Sequence, residues 1–269
     1  MAIALTSGMR NNLLALQSVD KMMTTTQNRL STGKRVNSAL DDPVNFFKAQ
    51  DHHNRASDLA ALKDGMNESI KVIEAANTGI ENIQALLNQM KSLASAAKTT
   101  EDATGLVAQY NEIIQQIGTL ATDSSYGGQN LLNGDSIDVV FDEAGDHTLR
   151  VDGTDVTATT PGLIGVATLT NATALDDGEI TTAFTEIDAA ISLLRTEAQK
   201  LSSSLSTIQI RADFTNEMVN TLNTGGDNLV LADMNEEGAN MLMLQTRQSL
   251  GTTSLSLASQ AAQAVLRLF

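Results

Sequence analysis

The side chains able to do chemistry are few. Cysteine is absent from the 269 residues, which removes thiolate nucleophiles, thiolate metal sites and disulfides together. Imidazole is confined to His52, His53 and His147. His52 and His53 are adjacent, so on a helix they point roughly 100° apart and offer no common pair of nitrogens to a metal; a solvated helix face is the expected role. The acid pairs Asp41-Asp42 and Glu236-Glu237 stand where helices are expected to start, and the macrodipole favours anions there. They read as caps rather than as a general acid and base. Gly127-Gly128 and Gly225-Gly226 lack the following Lys-Ser/Thr of a phosphate loop and the spacing of a dinucleotide fingerprint, so both read as turn glycines. Met241-Leu242-Met243 is a packing surface, and methionines suit surfaces that receive more than one partner. Asn171-Ala172-Thr173 matches a glycosylation sequon, a pattern short enough to occur often by chance. No catalytic residue, cofactor or metal is assigned, and an enzyme has only scattered carboxylates in its favour.

The elements that carry these residues are long and helical. Apolar residues make up 42% of the chain, enough for a sizeable core, while aromatics are 3% and proline occurs twice. An aromatic-cored sandwich or barrel is not expected on that composition, and long helices meet few interruptions. From Leu59 an apolar ladder runs Leu62, Met66, Ile70, Ile73, Ala76, Ile80, Ile83, Leu87, Met90, Ala94 and Ala97 in steps of three and four, one face of a single helix. A stricter seam runs Phe184, Ile187, Ile191, Leu194, Ala198, Leu201, Leu205, Ile208, Ala212, Thr215, Val219 and Leu222, coiled-coil-like over more than five heptads with a weak position at Thr215. Amphipathic stretches flank both, from Leu5 to Leu30 and from Met234 to Phe269, and a further one spans Leu106 to Leu120. Ser31-Thr32-Gly33 is expected to stop the first helix, Asp42-Pro43 to start the next as N-cap and N1, and Gly225-Gly226 to end the strict seam. Between the arms, Ile137, Val139 and Phe141 alternate with polar neighbours, Asp142 to Asp146 reads as a turn, and Leu149 and Val151 alternate again. The expected fold is mainly α: long coiled-coil-like helical arms from both termini and a small central β-hairpin region within a Thr-rich insert, 136–179.

Charge and hydropathy narrow the function classes. Seventeen basic against 32 acidic residues leave a net charge of −15, which argues against a nucleic-acid surface built on a net basic field. No window approaches 18 uninterrupted apolar residues, so no membrane span is expected. The first twelve residues lack the charged and apolar regions of a secretory signal. Amphipathic helices at both ends with few aromatic anchors would bury poorly in a monomer. Assembly with other copies and a monomeric helical bundle both stay open on periodicity.

Two segments carry a family resemblance. Residues 28–42, Asn-Arg-Leu-Ser-Thr-Gly-Lys-Arg-Val-Asn-Ser-Ala-Leu-Asp-Asp, resemble the R-L-S-S-G-x-R-I-N-S-A-x-D-D segment of bacterial flagellins, the subunits of the flagellar filament. Ala232-Asp233, Glu237, Ala239-Asn240, Gln245, Gln248, Gly251-Thr252, Leu255, Ala258, Gln260 and Val265-Leu266 resemble the family's C-terminal ending without a gap. The resemblance covers roughly 135 residues at the start and 85 at the end. It implies a short flagellin lacking large outer domains. In it 1–44 with 229–269 form the inner filament layer, 45–135 with 180–228 the second layer, and 136–179 a surface insert of that layer.

The resemblance further implies a non-enzymatic structural subunit that leaves through the flagellar type III export apparatus with an export chaperone. The subunit polymerises with itself and meets hook-associated junction and cap proteins in an extracellular filament for swimming. The interface residues it implies are Leu13, Leu16, Arg29 and Leu30 at one end and Met241, Leu255, Val265 and Leu266 at the other. The hook–filament junction protein, which shares Asp42-Pro43-Val44, is the nearest rival; a helical signalling stalk is the contrasting class. Flagellins recognised by vertebrate Toll-like receptor 5 carry Arg at the place of Gln89 and Glu at the place of Gln109. Here Leu93 is kept and both charges are neutral amides, so a charge-assisted contact is lost and weak or absent recognition is expected.

Overall fold

Helix starts and stops follow from a handful of side chains. Asp42 accepts the backbone N–H of Asn45 at 3.1 Å, and Pro43 at the next position needs no amide partner. Asp41 accepts the N–H groups of Asn37 (3.0 Å) and Ser38 (2.9 Å) and so closes the loop before it. These backbone bonds hold both carboxyls below the ordinary carboxylate value. At the other end of the first helix, Gly33 takes φ +70° and its N–H reaches the Arg29 carbonyl at 2.8 Å, a left-handed stop that a side chain would resist.

The computed structural model describes residues 7–100, 102–156, 165–169 and 177–266, apart from the side chains at 177, 262, 265 and 266. Pro161, Phe269 and the sequon at 171–173 lie outside the described residues. In chain order the elements are α1 (Ser7–Thr32), α2 (Pro43–Ala97), α3 (Thr104–Asp123), β1 (Ser136–Val140), β2 (Thr148–Asp152), α4 (Asp177–Val230) and α5 (Met234–Leu266). The strands pair antiparallel with Ile137 opposite Val151 and Val139 opposite Leu149, the alternation expected from sequence.

The chain divides into a terminal unit, Met1–Ala56 with Asn220–Phe269, and a central unit, Ser57–Val219. In the central unit the residues of the two ladders meet. Met66, Ile73, Ile80, Ile83, Leu87 and Met90 of α2 and Ile187, Leu194 and Ile208 of α4 are all fully buried, joined by Tyr110 and Ile117 of α3 and by Val139 and Val151 of the hairpin. Lys91 to Asp188 at 2.6 Å and Lys63 to Asn216 at 3.2 Å tie α2 and α4 in antiparallel register. Thr215, the weak seam position, is buried all the same.

The segment after α3 closes on Asn130. Its amide donates to the carbonyls of Ala121 (2.8 Å) and Thr122 (2.9 Å), and its Oδ1 accepts the N–H of Leu132. Gly127 and Gly128, at φ +59° and +83°, make the turn before it. Gly153 fits only because it has no side chain: a Cβ there would collide with the Leu131 and Asp135 carbonyls.

One expectation is overturned. Gly225-Gly226 does not end the helix; α4 runs unbroken to Val230. A Cβ on Gly226 would sit 3.0 Å from His53 Nε2 and 3.3 Å from the Ala49 carbonyl, so this glycine lets α2 and α4 approach closely rather than turning the chain. His53 stands half-buried beside it. It pairs with Asn223 Oδ1 at 3.2 Å and Asp227 Oδ1 at 3.5 Å.

Candidate functional site

In the terminal unit α1 and α5 lie antiparallel. Asn12 donates to Ser254 Oγ at 3.2 Å, Leu16 fills the space beside Gly251, and Arg29 Nη1 meets Glu237 Oε1 at 2.9 Å. As the α1 number rises the α5 number falls in step, so one register holds across the pair. Between the two helices, Arg35 N and Val36 N donate to the Val230 carbonyl at 2.7 and 3.2 Å, and Ala232 N to Gly33. Val36, Ala49 and Val230 make a small separate core there.

Glu236-Glu237 is read differently by the structure. The N-cap of α5 is Asp233, whose Oδ1 takes the N–H of Asn235 at 2.8 Å. Glu237 instead turns inward. Its side chain is 7% exposed against Arg29 at 33%, and among the described residues its buried Oε2 has no hydrogen-bond partner. The pair pins α1 to α5, and removing one partner would leave a largely buried charge alone.

The eight sequence-derived interface residues fall into distinct places. Leu13 is 40% exposed. Leu16, Leu30, Met241 and Leu255 are half-buried, and Arg29 is engaged with Glu237 within the chain. Val265 and Leu266 close α5, with side chains outside the described residues. The sequence-derived interface set leaves out strongly exposed apolar residues of the two helices: Leu14 on α1, and Leu242, Leu250 and Leu257 on α5, each more than 60% exposed. The near-sevenfold spacing of 242, 250 and 257 was the available signal. Sequence reasoning also missed a cleft of about 430 Å³ between α1 and α5, flanked by Lys21 and Arg247, with Met22 and Met243 in its wall.

In the central unit Gln89 and Gln109 are exposed and Leu93 is half-buried against the core. Among the described residues no group of three or more His, Asp or Glu is placed to hold a metal ion, and no helix there is long and apolar enough to cross a membrane.

Among the described residues, long helices, a small hairpin and a terminal helix pair with large exposed apolar side chains define a mainly helical class of protein with open apolar surface. Comparison with known proteins names it. Residues 5–136 match the bacterial flagellin N-terminal helical region and residues 180–269 the C-terminal helical region. The chain is 29% identical over 264 residues to flagellin FljK of Caulobacter vibrioides and 28% identical over 269 residues to a flagellin of Brucella melitensis, each alignment covering 96% of this chain and 95% of the relative. It is also similar to the crystal structure of Bacillus cereus flagellin, at 22% identity and a TM-score of 0.48 over 56% of this chain and 88% of that one. The chain belongs to the bacterial flagellin family: it is a structural subunit of the extracellular flagellar filament and not an enzyme.

Proposed function

We propose that the terminal unit is the polymerisation surface. Leu13, Leu16 and Leu30 of α1 and Met241, Leu255, Val265 and Leu266 of α5 contribute to it, and Arg29 holds the two helices in register. The observation that carries this reading is the set of large apolar side chains left open on α1 and α5, Leu14, Leu242, Leu250 and Leu257. At ~25 cal/mol per Å² of apolar area their burial between copies favours assembly. On this reading 1–44 with 229–269 form the inner layer, 45–135 with 180–228 the second, and 136–179 the outward insert. Deleting residues 230–269 removes α5 and half of that surface. The expected product is a soluble helical protein that elongates no filament seed under the electron microscope; filaments from the truncated chain would overturn the assignment.

The same reading supplies the remaining partners: an export chaperone, the flagellar type III export apparatus, and the hook-associated junction and cap proteins. Receptor recognition goes the other way. Gln89 and Gln109 are exposed and neutral where a charge-assisted contact to Toll-like receptor 5 needs Arg and Glu. Reporter cells are expected to respond weakly or not at all, and activation at the concentration of a recognised flagellin would refute this.

A further inference from the structure

Charge is divided unevenly along this chain. Of the 32 acidic and 17 basic residues, the central unit holds 24 acidic and 8 basic, leaving 8 acidic and 9 basic in the terminal unit. The terminal unit is therefore nearly neutral, and some of its described charges stand without an ion-pair partner among the described residues. Around the α1–α5 cleft stand three cations, Lys21, Arg29 and Arg247, against one carboxylate, Glu237, which Arg29 already engages. Among the described residues neither the Lys21 ammonium nor the Arg247 guanidinium has a hydrogen-bond or ion-pair partner. The exposed carboxylates of Asp20, Asp51 and Glu236 in the same unit likewise have none.

We infer that the cleft between α1 and α5 receives a carboxylate side chain from a second copy of this chain, held by Lys21 and Arg247. The inference rests on the terminal unit being the polymerisation surface. Lys21 and Arg247 flank a cleft whose wall includes the exposed Met22 and Met243, continuous with the helices that carry the open apolar residues. A neighbouring copy that covers this surface takes both cations out of water. An unpaired charge in such a place is strongly unfavourable, and a facing carboxylate offsets that cost. The matching acids belong to the same unit of the neighbour, because near-neutrality with cations and carboxylates both left open, Lys21 and Arg247 beside Asp20, Asp51 and Glu236, is what a surface that pairs with itself requires. Met22 and Met243 accept the methylene stem of the entering side chain, and their flexible thioethers tolerate an Asp or a Glu.

The test is read on filaments, whose formation separately tests the reading beneath it. Filaments grown from an equal mixture of ¹⁴N- and ¹⁵N-labelled subunits are treated with a zero-length carbodiimide and analysed by mass spectrometry. Peptides joining Lys21 to an Asp or Glu are expected in mixed-isotope form, the signature of a bond between two chains. Lys21 joined only to same-isotope peptides, or not joined, would overturn the inference. The second arm measures the critical concentration for seeded growth. The double variant Lys21→Met with Arg247→Met is expected to raise it at least about tenfold, whereas Lys21→Arg keeps it near the parent value. A double variant that grows at the parent's critical concentration also overturns the inference. Both positions are on the surface of the isolated chain, so circular dichroism of the monomeric variants is expected to match the parent.

Discussion

Tyr110 lies fully buried on α3, and among the described residues its hydroxyl has no hydrogen-bond partner. Burial, and then the nearby Glu186 carboxylate, push its ionisation far above the ordinary value of 10.0. In the unfolded chain the phenol ionises near that ordinary value. The contribution of the neutral buried form is thus complete below pH 10 and is lost as the pH climbs beyond it. The chain has two tyrosines, and alkaline titration followed by absorbance is expected to show Tyr110 ionising only as the protein unfolds. Tyr110→Phe abolishes that late phase and leaves stability unchanged or raises it by up to about 1 kcal/mol, because an unsatisfied buried donor is removed with the ring kept. Loss of several kcal/mol in a denaturant titration would show instead that the hydroxyl is paired. Burial of Tyr110 was legible in the sequence, from its place on the amphipathic Leu106–Leu120 stretch. Its missing partner was not, since that depends on what α2, α4 and the hairpin bring near. Glu197 makes the same point: it is 5% exposed beside the seam and is met by Lys200 at 3.1 Å, and a seam reading skips it because acids are expected outside.

Element boundaries were legible where local chemistry fixes them. Asp42-Pro43, Ser31-Thr32-Gly33 and the Asp142–Asp146 turn act through bonds within a few residues, and each stands where the sequence put it. Gly225-Gly226 failed because the reason for a glycine there lies on another helix. Gly226 faces His53 and Ala49, whereas Gly225 has nothing within 4 Å of an added Cβ. A side chain at position 225 thus recovers the backbone entropy that a mid-helix glycine loses. Gly225→Ala is expected to stabilise the protein by about 0.5–1 kcal/mol. Gly226→Ala gains the same propensity but drives a methyl to 3.0 Å from His53 Nε2, and the displaced ring strains its contacts with Asn223 and Asp227. The net effect expected is destabilisation by about 1 kcal/mol or more. Thermal denaturation of the two single variants checks this; equal shifts would mean that α2 and α4 are further apart at this crossing.

On the scale of the whole molecule the uneven charge sets two opposing responses to salt. The central unit, with 24 acidic and 8 basic residues, repels its copies when subunits gather at high local density. Screening relieves that repulsion: the Debye length falls from about 30 Å at 0.01 M to about 10 Å at 0.1 M. The pairs inferred between terminal units weaken with salt as well, but they are few and withdrawn from water, where screening acts less. The central unit's net charge of −16 outweighs them. The critical concentration for seeded growth is therefore expected to fall several-fold as sodium chloride rises from about 0.01 to about 0.1 M. Neutralising four exposed acids of the central unit, through Asp58→Asn, Asp64→Asn, Glu81→Gln and Glu112→Gln, should lower the critical concentration most at low salt and flatten its dependence on salt. Should the parent's critical concentration instead rise with salt, attraction between subunits would dominate the filament's electrostatics, and the central unit's acidity would be a property of the free chain rather than a term in assembly.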